Sequence, residues 1–108
     1  MNFVVIGRDG DPSLRREERP AHLEYVAERQ HIIVYAGPLI EDGAMIGSIF
    51  IFEVPDRAAL DAYLGDDPYF ARPIFQSVEI WESRRMVPEG EPGFLRAEAE
   101  KARRQEAS

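Results

Sequence analysis

The sequence contains no cysteine and only two histidines, His22 and His31, in 108 residues. Without a thiol there is no disulfide framework, no thiolate-held metal and no cysteine nucleophile. The histidines could share a metal only with carboxylates, and no such spacing is present: His22 and Glu24 lie two apart on a helix and diverge. Basic residues are also scarce, with 13 Lys and Arg against 20 Asp and Glu, a formal net charge of −7. A nucleic-acid footprint needs a basic patch that replaces counterions, so the charge argues against nucleic acid as a partner. No apolar run approaches the roughly 20 residues of a membrane span. The stretch Phe3-Val4-Val5-Ile6 after Met1 is too short for the apolar core of a signal peptide. The expected setting is cytoplasmic, with no membrane partner. No internal repeat is visible.

What is present is 44% hydrophobic residues, enough for one core in one domain of this size. The charge is unevenly placed: residues 1–81 hold 14 acids and 7 bases, whereas residues 82–108 hold 6 of each. The chain therefore divides into a domain over residues 1–86 and a linker and charged tail over residues 87–108. Pro88-Glu89-Gly90-Glu91-Pro92-Gly93 is a linker by composition. Beyond it, Glu98 with Lys101 and Glu100 with Arg104 are spaced to pair along a helix.

Within the domain, Asn2 to Ile6 is a β-branched strand closed by a loop from Gly7 to Pro12. A helix follows, with Pro20 as its first-turn proline, Leu23, Val26 and Ala27 as the buried stripe, and His22 beside that stripe. Ile32 to Ala36 is a second strand ended by Gly37-Pro38, and Glu41-Asp42-Gly43 supplies a hairpin turn into a third strand, Ile46 to Val54. Asp56 caps a second helix that buries Leu60, Tyr63 and Leu64. After the break at Gly65-Asp66-Asp67-Pro68 comes a compact segment and a fourth strand, Ile74 to Trp81. The order βαββαβ is that of a ferredoxin-like α+β layer: a four-stranded antiparallel sheet with two helices on one face. The first and third strands are apolar on both sides, which two helices cannot cover. A homodimer packed sheet against sheet is the expected solution.

Three features have the chemistry of a site. His22 can act as a general acid or base near neutral pH, or it is a hydrogen-bonded histidine at the rim of the core. Asp66-Asp67-Pro68-Tyr69 sets two carboxylates at a helix end, where they orient an imidazole, hold a cation, or simply form a turn. Gly47-Ser48 opens a gap in a bulky strand, where a hydroxyl can donate into a pocket. Spacing alone leaves each alternative open. His31, at the start of a strand, reads as structural.

Together, Phe3-Val4-Val5-Ile6 with Asp9, Arg19-Pro20-Ala21-His22-Leu23, Ala36-Gly37-Pro38-Leu39, Gly47-Ser48, Asp66-Asp67-Pro68-Tyr69 and Phe75-Gln76-Ser77-Val78-Glu79-Ile80 resemble the YCII-related (YciI-like) family over residues 2–82. The resemblance implies a dimeric α+β barrel and a His–Asp pair in a pocket near the dimer interface. Carried over by motif, these are His22 and Asp67, with Asp66 as the alternative. One branch of that family dehydrochlorinates a chlorinated hydroxyhydroquinone, and its fold is similar to that of muconolactone isomerases. The function so implied is cofactor-free, metal-free proton transfer on a small oxygenated compound, of lyase or isomerase type. His22 and Asp67 are then catalytic, and Arg19, Ser48, Tyr69 and Arg72 bind substrate. The alternative is a non-catalytic module that binds a small ligand in the same pocket. The sequence departs from the family at Arg72-Pro73-Ile74, where Ala-Gly-aliphatic is usual. The added cation suits an anionic ligand.

Overall fold

A computed structural model describes residues 1–107. In order it contains β1 (Asn2–Asp9), α1 (Pro12–Ala27), a 3-10 turn (Gln30–Ile32), β2 (Ile33–Glu41), β3 (Ala44–Glu53), α2 (Arg57–Asp66), a short α3 (Pro68–Ala71), β4 (Phe75–Ser83) and α4 (Phe94–Ala107). The strands form one sheet in the order β2-β3-β1-β4, with every neighbouring pair antiparallel. This is the expected βαββαβ layer. The β2–β3 turn is made by Asp42 and Gly43, both at positive φ (49° and 79°). Such a two-residue turn matches the twist of a hairpin, and it pairs Glu41 with Ala44.

Register decides which side chains meet the helices. Val5 lies opposite Phe50 and Phe3 opposite Phe52. Together with Val54 and with Leu60 and Tyr63 of α2, these residues form the buried core, and Tyr25 of α1 packs against it. The other face carries a row that crosses all four strands: Tyr35 pairs with Ile51, Ile51 with Val4, and Val4 with Trp81. Tyr35 and Trp81 are 58% and 62% exposed. The second face is therefore largely apolar and exposed at both ends of this row, while Met86 to Pro88 line a cavity beside Val4 and Ile51 at its middle.

Two strands are longer than the sequence pattern suggested. β1 runs on through Gly7 to Asp9, and β2 continues through Gly37-Pro38 to Glu41. Pro38 is tolerated because β2 is an edge strand, where a missing N–H costs no ladder bond. Gly47 lets β3 approach β1, because a Cβ there would run into the Gly7 carbonyl oxygen, and Gly7 makes room for the Phe75 ring of β4, which would lie 2.7 Å from a Cβ on it.

α1 departs most from expectation. It starts at Pro12, not Pro20, because Asp11 accepts a hydrogen bond from the Ser13 amide (2.9 Å) and Pro12 fills the first turn. Pro20 sits inside the helix at an exposed position. There the carbonyl four residues earlier loses its helical partner but can turn to water. The buried face is polar as well. Arg15 and His22 are buried, while Leu23 (45% exposed) and Ala27 face outward.

At the C-terminus, the Glu89 carboxylate accepts hydrogen bonds from the Gly93 and Leu95 amides (3.1 and 2.9 Å) and so holds the entry to α4. These two bonds pull the Glu89 carboxyl below its ordinary range. Along α4, Glu98 pairs with Lys101 (3.6 Å). Glu100 pairs with Arg103 (2.8 Å) rather than with Arg104. Among the described residues, no helix is long and apolar enough to cross a membrane.

Candidate active site

Asp67 joins two helices. Its backbone N–H donates to the Tyr63 carbonyl and closes α2, while its side chain accepts from the Tyr69 amide (3.0 Å) and caps α3, with Pro68 in the first turn. That double role places the carboxylate inside the protein, 0% exposed. A buried carboxylate must be hydrogen-bonded, and this one has three partners. Oδ1 takes the Tyr69 amide and His22 Nδ1 (2.8 Å), and Oδ2 takes the Tyr63 hydroxyl (2.9 Å). A carboxylate only accepts, so Nδ1 of His22 carries the proton. In the neutral ring the lone pair is then on Nε2, which has no partner among the described residues and is left for the cavity that the ring lines.

The ring is fixed on two more sides. It stacks on Tyr69 with centroids 3.7 Å apart and planes 2° from parallel, and it meets Phe50 at 5.9 Å, edge to face. Burial raises the Tyr63 phenol well above its ordinary range, and the Asp67 charge adds to the effect. Burial also raises Tyr69, against the opposing pull of Arg15 and Arg19. Tyr63 therefore serves Asp67 as a neutral donor.

A second buried polar chain lies alongside. Arg15 Nη1 donates to Asp9 Oδ1 at the end of β1 (2.8 Å), and Nη2 donates to Ser48 Oγ on β3 (2.9 Å). The same guanidinium lies 5.1 Å from the centroid of the Tyr69 ring. Arg15 and Asp9 were not singled out as chemical residues by sequence reading. Asp9 had a signal in the β1 motif, whereas an arginine in an amphipathic helix gives none.

Both chains meet at a cavity of about 220 Å³ whose lining includes Arg15, Arg19, His22, Ser48, Phe50 and Tyr69. The structure thus brings His22, Asp67, Ser48, Tyr69 and Arg19 together. Arg72 is not among them: it is half exposed and pairs with Glu18 at 3.3 Å. The anion-holding role expected of it has no support at that position, because Glu18 already holds its charge. Asp66 is exposed and makes no hydrogen bond or ion pair with His22, whose carboxylate partner is Asp67. His31 is exposed in the 3-10 turn. A wider groove of about 740 Å³ between Met1, Glu53 and Arg85 is open and contains no histidine. Among the described residues, no three His, Cys, Asp or Glu side chains gather as metal ligands.

The sheet order and the helices on one face define an α+β protein of ferredoxin-like class. More narrowly, the chain belongs to the family of YCII-related domains, whose model matches residues 1–84. No curated protein matches the sequence significantly. Among solved structures, the chain is similar to 5-chloro-2-hydroxyhydroquinone dehydrochlorinase from Burkholderia phenoliruptrix AC1100, solved with 2,5-dihydroxybenzoquinone. The TM-score is 0.73 at 23% identity, covering 82% of this chain and 99% of that one. It is also similar to an antibiotic biosynthesis monooxygenase (TM-score 0.51, 20% identity, 79% and 100% covered). A third likeness is to PA3566 from Pseudomonas aeruginosa (TM-score 0.52, 15% identity, 80% and 94% covered). At these identities the likeness establishes the fold, the layer from which dimeric α+β barrels are built.

Proposed function

We propose that the protein is a small acid–base enzyme that moves protons on a compact oxygenated molecule, with elimination or isomerisation as the net reaction. The observation that carries this reading is the 2.8 Å bond between His22 Nδ1 and the fully buried Asp67 carboxylate. An imidazole held in one tautomer by a buried carboxylate, with its second nitrogen unpartnered at a cavity, has the arrangement of a general base. Nε2 takes a proton from substrate carbon or oxygen. Asp67 stabilises the imidazolium that forms, and the same proton is returned at a second position or to a leaving group. Tyr69 supplies a flat wall for a ring, and Arg19, which has no ion-pair partner among the described residues, attracts an anionic substituent. The dehydrochlorination named for the Burkholderia enzyme is one reaction of this type.

The working unit is a homodimer closed through the second sheet face. The row Tyr35–Ile51–Val4–Trp81 supports this, because a patch of that kind on a lone domain is an association surface. The test is a panel of enolisable ketones, phenols and 5-chloro-2-hydroxyhydroquinone, followed by NMR for solvent deuterium incorporation and by chloride release. Turnover by the wild type that disappears in His22→Gln and Asp67→Asn is expected. If every compound is bound but none turned over, or if both variants remain as active as wild type, the acid–base reading is wrong and the cavity only binds.

A further inference from the structure

The Asp9–Arg15–Ser48 chain is costly as a stabilising device. Arg15 and Asp9 are both buried, yet they meet through one contact rather than a two-point fork. Arg15 Nε and Asp9 Oδ2 are buried with no partner among the described residues. A buried ion pair with unmet donors and acceptors contributes little net stability. A fold selected only for stability is better served by apolar residues here.

What the chain achieves is control of one hydroxyl. Ser48 Oγ accepts the Arg15 Nη2 proton, so its own hydrogen must point elsewhere, and no acceptor for it exists among the described residues. Ser48 is buried and lines the same cavity as His22. A hydroxyl that accepts from a guanidinium is a stronger donor than a free one, since hydrogen bonds in a chain polarise one another. Arg15 is in turn held in place by Asp9 and sits beside Tyr69.

We propose that Ser48, polarised and oriented by the Asp9–Arg15 pair, is an oxyanion donor, and that the site takes substrates whose reaction places negative charge on a carbonyl or phenolic oxygen. The inference rests on the acid–base reading of His22. His22 Nε2 takes the proton from the carbon next to a carbonyl. The C–H electron pair becomes a C=C bond, and the carbonyl π pair moves to oxygen, which Ser48 Oγ–H then stabilises. Return of the proton at another carbon completes an isomerisation, and expulsion of an anion from the adjacent carbon completes an elimination. No oxidant or reductant enters. Ser48 touches the substrate, whereas Arg15 and Asp9 act through it as positioning residues.

The two arms can be tested apart with para-nitrophenol, whose absorbance reports how much of the bound probe is phenolate. Wild type is expected to bind the phenolate in preference to the phenol. Ser48→Ala is expected to lose about 10- to 100-fold of phenolate affinity with little change for the phenol. Arg15→Gln should lose a similar factor, with the Ser48→Ala/Arg15→Gln double variant no worse than either alone, and Arg15→Lys should recover part of the loss. His22→Gln should keep the phenolate preference, so failure of the base reading leaves this readout intact. Absence of phenolate preference in wild type overturns the proposal. Full phenolate affinity in Ser48→Ala, a change so small that the fold survives it, also overturns it. Additive losses in the double variant would show that Arg15 does not act through Ser48.

Discussion

The imidazole of His22 and the phenol ring of Tyr69 lie 2° from parallel with centroids 3.7 Å apart. Tyr69 follows Asp67 by two residues, and its amide is itself bonded to the Asp67 carboxylate. One short segment, Asp67-Pro68-Tyr69, thus sets both the proton position and the plane of a ring 45 residues away. The stack removes the freedom of His22 to rotate, and the hydrogen bond from Nδ1 to Asp67 removes its choice of tautomer. Any base function depends on both constraints together.

The first prediction follows from the unequal partners of the Asp67 oxygens. In Asp67→Asn the amide oxygen must face the Tyr69 N–H, which can only donate, and the NH2 group must face Tyr63, whose hydroxyl can rotate to accept. The Nδ1–H tautomer of His22 is therefore kept while the negative charge behind it is lost. Side-chain nitrogen NMR should show the wild-type tautomer in Asp67→Asn and a mixture in Asp67→Ala. Turnover should fall about 100- to 10,000-fold in both, because orientation without charge does not stabilise an imidazolium. A tautomer switch in Asp67→Asn would show that Tyr69 does not fix the amide.

The second concerns alkaline stability. Burial holds the folded-state ionisation of Tyr63 well above the ordinary tyrosine value of 10.0. In the unfolded chain Tyr63 loses its proton near that ordinary value, while in the folded chain it keeps it. Its contribution is therefore whole below about pH 10 and declines as pH rises from there through the folded ionisation, at about 1.4 kcal/mol per pH unit. Denaturant unfolding across this range should show at least that slope in wild type, since burial raises Tyr69 and Tyr25 as well, and a shallower one in Tyr63→Phe. At neutral pH the same variant should be about 1.5 to 3 kcal/mol less stable, having lost a hydrogen bond to a buried carboxylate.

Much of the architecture was legible because it is written locally. The Asp42-Gly43 turn, the Asp56 cap and the β-branched runs each depend on residues within a few positions, and together they establish the βαββαβ order. α1 was misread for the opposite reason. A helical stripe is normally found by assuming that apolar residues turn inward. Here Arg15 and His22 turn inward because their partners, Ser48 and Asp67, lie 33 and 45 residues further on. Leu23 is left outside. His22 and Asp67 were reachable through their family motif, whereas Arg15 was visible only once β1, β3 and α1 were brought together.

The third prediction concerns the glycine that allows that meeting. Gly47 lies opposite Arg8 in the β1–β3 ladder, and a Cβ there would strike the Gly7 carbonyl, a backbone atom that cannot swing aside. Gly47→Ala should cost about 1 to 3 kcal/mol or more by forcing the strands apart. Because Ser48 is the next residue, the variant should also lose ligand affinity out of proportion to its stability. Calorimetry with and without para-nitrophenol checks both. Wild-type melting would mean that the strands separate freely at this point.

The last prediction concerns the second sheet face. A stable protein interface buries about 800 Å² per partner, and the row Tyr35–Ile51–Val4–Trp81 crosses the whole sheet in register. Apolar burial at about 25 cal/mol per Å² makes such a face the strongest available drive to association. α4 offers less. Half of its described side chains are charged, and its ion pairs are satisfied within the helix. Ile51→Asp should therefore convert a dimer to a monomer in sedimentation while leaving the sheet intact by circular dichroism, since Ile51 points away from the core. Deleting residues 88–108 should leave the dimer in place. If the deletion releases monomers and Ile51→Asp does not, association runs through the tail instead, and the sheet face must be covered by some other partner.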